Sequence, residues 1–304
     1  MHDLCARYRT ALRHVTSVMG EKASYSGNFR PWVRRPLMSD LEVMALSLAA
    51  ESCGAGSENH LFTELHLGLI LKGVRVISRS RFNRRRRSLK HRFLEFSELA
   101  GALATPDCDR HLVDSIPVPV ARLARSGTLR ICRKDVATAP AIGRSAVDKG
   151  YFLGYKLHLV TCSRGVFRHM DITPGNVHDI RFIKSFGAGN PSTGKELVAD
   201  RAYISHAVQT SLFDEHTIRL TIPYRKGGAG HKLINPEAAL ARRRIETVFS
   251  QLCDQFRLKV NYAKSFLGLA TRILSKLAAM TMIQLDNALS GRPLGQIKNV
   301  RFAQ

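Results

Sequence analysis

The 304-residue chain holds 47 Lys+Arg against 24 Asp+Glu, a formal net charge of +23 with His neutral. Its 44% hydrophobic content suffices for a buried core, which excludes low-complexity disorder over most of the length. No uninterrupted apolar run approaches the ~18 residues of a membrane span, and Met1-His2-Asp3-Leu4-Cys5 has no basic-then-apolar leader layout. The expectation is a cytoplasmic protein, away from membrane, whose excess positive charge seeks a polyanion such as nucleic acid.

Helical periodicity covers Leu4 to Met19, then Leu41 to Ala50 behind the cap candidates Ser39 and Asp40, then Leu61 to Leu71. A polar, proline-containing stretch from Ser24 to Pro36 separates the first two. A further helix is predicted from Ser80 through Ala102, with Phe82, Leu89, Phe93, Leu94 and Leu99 inward. Its outer face carries Arg81, Arg84, Arg85, Arg86 and Arg87. Because it follows two shorter helices, as in a helix-turn-helix reader, these arginines are candidate DNA contacts. A solvated helix face is the plainer alternative. Thr105-Pro106 closes this all-helical N-terminal region, residues 1–105.

Past Pro106, short apolar runs alternate with helical segments. His111 to Ile116 reads as a strand stopped by Pro117 and Pro119, and Ala121 to Lys149 as a basic loop or insertion. Tyr155 to Thr161 and Val166 to Thr173, joined by Ser163-Arg164-Gly165, form a hairpin layout. Then come a helix over Val177 to Phe186, a strand over Glu196 to Asp200, a helix over Ser205 to His216 and a strand over Arg219 to Pro223. A Gly-rich basic loop, Arg225 to Lys232, leads to helices from Pro236 to about Phe256 and from Phe266 to Ser290. The order predicts an α/β domain over 106–290, a mixed five-stranded sheet flanked by helices, with a tail at 291–304. Net charge is +8 before residue 106 (17 basic, 9 acidic) and +15 after it (30 basic, 15 acidic), so both halves carry phosphate-binding character. The six cysteines have no metal-binding spacing and read as reduced, mostly core-filling thiols.

Three acidic positions stand out. Asp114 lies within a β-like apolar run, Asp200 at the exit of another, and Glu246 inside the helix that starts at Pro236. A carboxylate on a strand is costly to bury unless it is paired or bound to metal. Converging at a sheet end, the three would hold two Mg²⁺ (or Mn²⁺) ions and act on a phosphodiester. Taken singly, Asp114 and Asp200 could be strand-end turn formers, and Glu246 could pair with Arg242 or Arg243. Asp171 and Asp179 are competitors.

The words around these residues narrow the choice. Val113-Asp114-Ser115-Ile116-Pro117, Gly154-Tyr155-Lys156-Leu157-His158, Thr173-Pro174-Gly175-Asn176-Val177-His178-Asp179, Ala199-Asp200-Arg201-Ala202-Tyr203 and Arg243-Arg244-Ile245-Glu246-Thr247-Val248-Phe249 occur in that order. Together they resemble the DDE transposases of bacterial insertion sequences, most closely the 982 group. The resemblance implies an RNase H-like catalytic domain in which Asp114, Asp200 and Glu246 are the catalytic, metal-holding acids. It implies double-stranded DNA, as element ends and target, for the partner, and a homodimer or larger synaptic complex. A Tyr, Arg and Lys pattern around the Glu, common among relatives, keeps only Arg242 here; Ala239 and Cys253 stand seven residues either side of Glu246.

Other residues have two readings each. His178 is an active-site neighbour or a helix-start cap. Lys156 and Arg201, beside the sheet edge, are phosphate contacts or solubilising charges. At least one of Arg242, Arg243 and Arg244 should meet phosphate. The function expected is end cleavage and strand transfer. The rivals are an RNase H-like nuclease that cuts without joining and a catalytically dead DNA-binding derivative.

Overall fold

The computed structural model describes residues 4–71, 73–145, 150–187, 189–222 and 236–298. The Gly-rich loop Arg225 to Lys232 lies outside them. The chain divides into a helical unit, residues 1–104 with 251–304, and a sheet unit, residues 105–250.

In the helical unit, α1 (Leu4–Met19) buries Leu4, Tyr8, Ala11, Val15 and Met19, one stripe at helical spacing. α2 (Asp40–Ser52) opens on a capping box: the Glu42 amide donates to Ser39 Oγ at 3.2 Å, and the Ser39 amide donates to Glu42 Oε2 at 2.6 Å. The short helices α3 (Glu58–His60) and α4 (His66–Leu71) flank a π-type turn. The helix expected from Ser80 to Ala102 is two, α5 (Arg79–Ser88) and α6 (Lys90–Ala104), broken at Leu89. Leu89 is buried, and the Arg92 amide donates to its carbonyl at 2.9 Å, so the chain turns to bury both apolar faces.

The last helix, α10 (Phe266–Leu289), packs on α6 and α2. Residues 251–298 pack in one unit with the N-terminal helices. By length and composition α10 could cross a membrane, but 89% of its most apolar window is buried, which makes it the central core helix of this unit. It also buries Arg272, Lys276 and Asp286.

In the sheet unit the strands are β1 (Arg110–Ala121), β2 (Ala141–Ser145), β3 (Gly150–Cys162), β4 (Phe167–Pro174), β5 (Glu196–Val198) and β6 (Arg219–Thr221). The order is β2-β3-β1-β5-β6, with β4 also on β3. β1, β3 and β4 pair antiparallel; β5 pairs parallel with β1, and β6 parallel with β5. This is the RNase H-like mixed sheet expected, plus β2, a strand within the segment read as a loop. β1 also runs through Pro117 and Pro119. Among the described residues no strand pairs with its β5 side past Leu112, so a missing N–H facing that way breaks no ladder. Gly154 is required where β3 crosses β1: a Cβ there would stand 2.3 Å from the Val118 carbonyl oxygen.

α7 (Ile180–Lys184) and α8 (His206–His216) cover one face. Val113, Val160, Phe182, Ile183, Leu197, Tyr203 and Leu212 form the core between. α9 (Pro236–Asp254) contributes Ile245, Val248 and Phe249 to this unit. Its Arg244 Nε donates to the Arg164 carbonyl at 2.9 Å, at the β3–β4 turn.

His111 is fully buried on β1, its Nδ1 2.9 Å from Ser192 Oγ. Burial, helped by the charges of Arg168 and Lys195, lowers its pKa to about 3. The folded protein therefore keeps it neutral while the unfolded chain takes up a proton near pH 6.5. Its contribution to stability is complete above that pH and is lost as pH falls toward 3. Between pH 6.5 and 5 the expected loss is about 2 kcal/mol. Urea denaturation at the two pH values should show this slope in the wild type and a shallower one in His111→Gln.

Candidate active site

The register of β1 and β5 brings two acids together. Leu112 pairs with Val198, and Asp114 and Asp200 each lie two residues further along parallel neighbours. Parallel strands run about 4.8 Å apart, so equal offsets place the two carboxylates at one level, Asp114 within β1 and Asp200 just past the end of β5. Alternation along β1 puts Val113 in the core under α7 and α8 and turns Asp114 to the opposite face.

Asp114 accepts a hydrogen bond from the Ser115 amide at 2.7 Å. Its pKa is nonetheless raised to about 7, first by burial and then by the negative charges of Asp200 and Asp179, against the pull of Arg242. Asp200 caps the turn Arg201–Tyr203, accepting from the Ala202 amide at 2.8 Å. Behind them Tyr203 is buried, its hydroxyl without a hydrogen-bond partner among the described residues. Burial and the charges of Asp179, Asp114 and Asp200 raise its pKa well above the ordinary phenol value, so it stays neutral.

Asp179, only a competitor in the sequence, joins this group. Its Oδ1 accepts from Ser115 Oγ and from Lys156 Nζ, both at 3.0 Å. Lys156, read from the sequence as a phosphate contact, donates inward to Asp179 and to the Val177 carbonyl, also at 3.0 Å. His158 Nδ1 is 3.9 Å from Asp179, and its Nε2 is 2.8 Å from Thr173 Oγ1. Burial lowers the His158 pKa to about 4, leaving it neutral. These partners could not be foreseen, because they meet only through the β3–β4 pairing and the turn before α7.

Glu246 is exposed on α9. It stands one turn beyond Arg242, whose charge reaches Asp114, so both occupy the flank of α9 beside its buried stripe. Among the described residues no three carboxylate, histidine or cysteine side chains stand close enough to chelate one ion. Asp114 and Asp200 are brought together; Glu246 is not brought into contact with them. Crowded carboxylate oxygens are hard donors, and the mutual repulsion that raises the Asp114 pKa is what a divalent cation would relieve. The pair therefore fits Mg²⁺ or Mn²⁺.

His178 is exposed, and its Nδ1 accepts from the Ile180 amide at 3.4 Å, a cap on α7. Arg201 and Arg243 are exposed and Arg242 is partly buried. On α5, Arg81, Arg84 and Arg87 are exposed, while two neighbours are engaged inside. Arg86 is buried and ion-paired with Glu51 and Glu58, and Arg85 is paired with Asp40 and the Met38 carbonyl. Both thus have acidic partners within the helical unit, Arg86 buried and Arg85 half-buried. Arg81, Arg84 and Arg85 line a hollow of about 440 Å³ with Arg30, Arg34, Trp32 and Leu37. The Arg30 guanidinium stacks on Trp32 at 4.2 Å from the ring centre.

The model of the transposase DDE domain matches residues 108–265, just over half of the chain. The chain belongs to the DDE transposase family. Searches against curated proteins and against solved structures find no match. A transposase of this kind is a nuclease or transferase with a DNA substrate, which agrees with the neighbouring acids Asp114 and Asp200 and the net charge of +23.

Proposed function

We propose that this transposase serves a bacterial insertion sequence of the 982 group, binds its terminal inverted repeats in the cytoplasm, and carries out end cleavage followed by strand transfer. The observation that carries the reading is that Asp114 and Asp200 stand at equal offsets beyond the Leu112–Val198 pair of the β1–β5 register, close enough for the charge of Asp200 to act on Asp114, within the matched domain. Asp114, Asp200 and Glu246 would hold two Mg²⁺, which when bound would activate water or a 3′-hydroxyl and stabilise the departing phosphodiester oxygen. Glu246 would have to turn inward from the flank of α9 to do so.

The chain's own residues supply the rest. Lys156 and Ser115 hold Asp179 in place, and its negative charge reaches Asp114. Arg242, beside Asp114, is placed to attract the scissile phosphate, and exposed Arg201 can take a neighbouring one. Arg81 and Arg84 of α5, with Arg243, would grip the duplex backbone, a contact that positions DNA without reading its sequence. Two element ends require two active sites, hence a homodimer or larger synaptic complex.

The test is Mg²⁺-dependent cleavage of a labelled element end by the wild type and by Asp200→Asn, with a parallel strand-transfer reaction on pre-cut ends. Cleavage and joining by the wild type, abolished in the variant while end binding persists, are expected. Cutting without joining would favour the nuclease reading, and binding with neither would favour a dead derivative.

A further inference from the structure

The helical unit contains an ionic cluster that the proposed chemistry does not use. Glu51 of α2 is buried and accepts from Lys276 Nζ at 2.5 Å and from Arg86. Glu58 stands 3.1 Å from Arg86 and 3.6 Å from Arg272. Three buried cations thus share two carboxylates, and buried positive charge left in excess demands an anion.

Over this cluster opens a hollow of about 270 Å³, lined by Glu58, Arg86, Arg87, Tyr262, Lys264 and Arg272 together with the first turn of α10. Four cationic side chains face one carboxylate there, and that carboxylate is already held between Arg86 and Arg272. Arg87 and Lys264 are exposed at the mouth and form no ion pair among the described residues. Arg272 is only 4% exposed; its Nη2 donates to the Gly56 carbonyl at 2.6 Å. Its buried Nε, by contrast, has no acceptor among the described residues. A buried N–H left unpaired costs about 1–3 kcal/mol, which an incoming oxygen would recover.

The helix start adds to the same field. α10 begins at Phe266 behind Ser265, whose Oγ accepts from the Gly268 amide at 3.2 Å. Arg87 Nε lies 3.8 Å from where a Cβ on Gly268 would stand, so the guanidinium sits over the positive end of a 24-residue helix. Like charges gathered in this way repel unless an anion occupies the space between them.

We propose that this hollow binds a phosphate group. In the protein at work that phosphate is a phosphodiester of bound DNA, a source that rests on the DNA-binding part of the function proposed above. The volume accepts a phosphate with its sugar, and the exposed ring of Tyr262 borders the opening.

The test uses the full chain and two probes. In thermal melts at constant ionic strength, replacing chloride with inorganic phosphate should raise the melting temperature of the wild type. It should leave the Arg87→Ala/Lys264→Ala double variant unmoved; both side chains are exposed, so the variant keeps its fold. Equal stabilisation of the two proteins, or of neither, overturns the site. With a random-sequence duplex followed by fluorescence anisotropy, the slope of log K against log salt should fall by about 1 in the double variant, because one fewer DNA phosphate is neutralised. An unchanged slope beside an abolished phosphate response overturns the DNA source and points to a free phosphorylated small molecule. Neither readout involves cutting. A protein that binds phosphate and duplex here but never cleaves would refute the catalytic reading and leave this one standing.

Discussion

Asp114→Asn should cut end cleavage by about a thousandfold or more and, in the presence of a chelator, make the protein more stable. Both effects come from one cause. The carboxylate sits where burial, Asp200 and Asp179 all oppose its ionisation, and its pKa stands at about 7. On the function proposed above, losing one of the acids that would hold the catalytic cations would forfeit several kcal/mol of transition-state stabilisation, and a thousandfold corresponds to about 4 kcal/mol. Stability moves the other way. An Asp with its folded pKa raised holds its proton better folded than unfolded, so its contribution is full below about pH 4 and disappears as pH rises through 7. Above pH 7 the ionised carboxylate costs up to about 4 kcal/mol, which the neutral Asn avoids. At pH 8 with chelator, the variant should therefore melt higher than the wild type, and at pH 4 the two should coincide. Added MgCl₂ should stabilise the wild type more than the variant. A variant that melts no higher than the wild type at pH 8 would show that Asp114 is not crowded.

The strand positions of Asp114, within β1, and of Asp200, after β5, were legible because each acid interrupts a short apolar run. Their pairing was not, since it depends on the Leu112–Val198 register, which no local pattern encodes. The β2 segment Ala141-Ile142-Gly143-Arg144-Ser145 has a glycine and an arginine at its centre and shows only as a loop; β3 is long enough to hold it beyond β4. Within the run Arg84 to Arg87 the letters are identical, yet Arg84 meets solvent and Arg86 meets Glu51 and Glu58. Only the acids on α2 and α3 separate the two. In α10 the apolar residues go all round, so periodicity names a buried helix but not the unit that buries it. Glu246 sits in a motif that resembles the family's and has the exposure of a surface residue, and a motif carries no information about exposure.

Glu51→Gln should destabilise the helical unit by about 3–5 kcal/mol, the scale for removing one partner of a buried ion pair. Glu51 is 1% exposed, and burial alone would push its pKa up. The charges of Lys276, Arg86 and Arg272, with the Lys276 hydrogen bond, outweigh that and hold it down at about 2. The amide keeps the shape but leaves Lys276 with the Phe256 carbonyl, 2.5 Å away, and no counter-charge in contact. Because the folded pKa lies below the ordinary value of 4.5, the stabilisation is full above that pH and drains away as pH falls toward 2. Far-UV circular dichroism in urea, which reads mainly the helices, should show a lower midpoint for the variant at pH 7 and convergence with the wild type near pH 2. A double replacement, Glu51→Met with Lys276→Met, removes both charges and should recover much of the stability, because neither desolvated ion remains. If Glu51→Gln alone melted like the wild type, the cluster beneath the proposed phosphate hollow would not be the buried, acid-limited assembly that gives the hollow its excess positive charge.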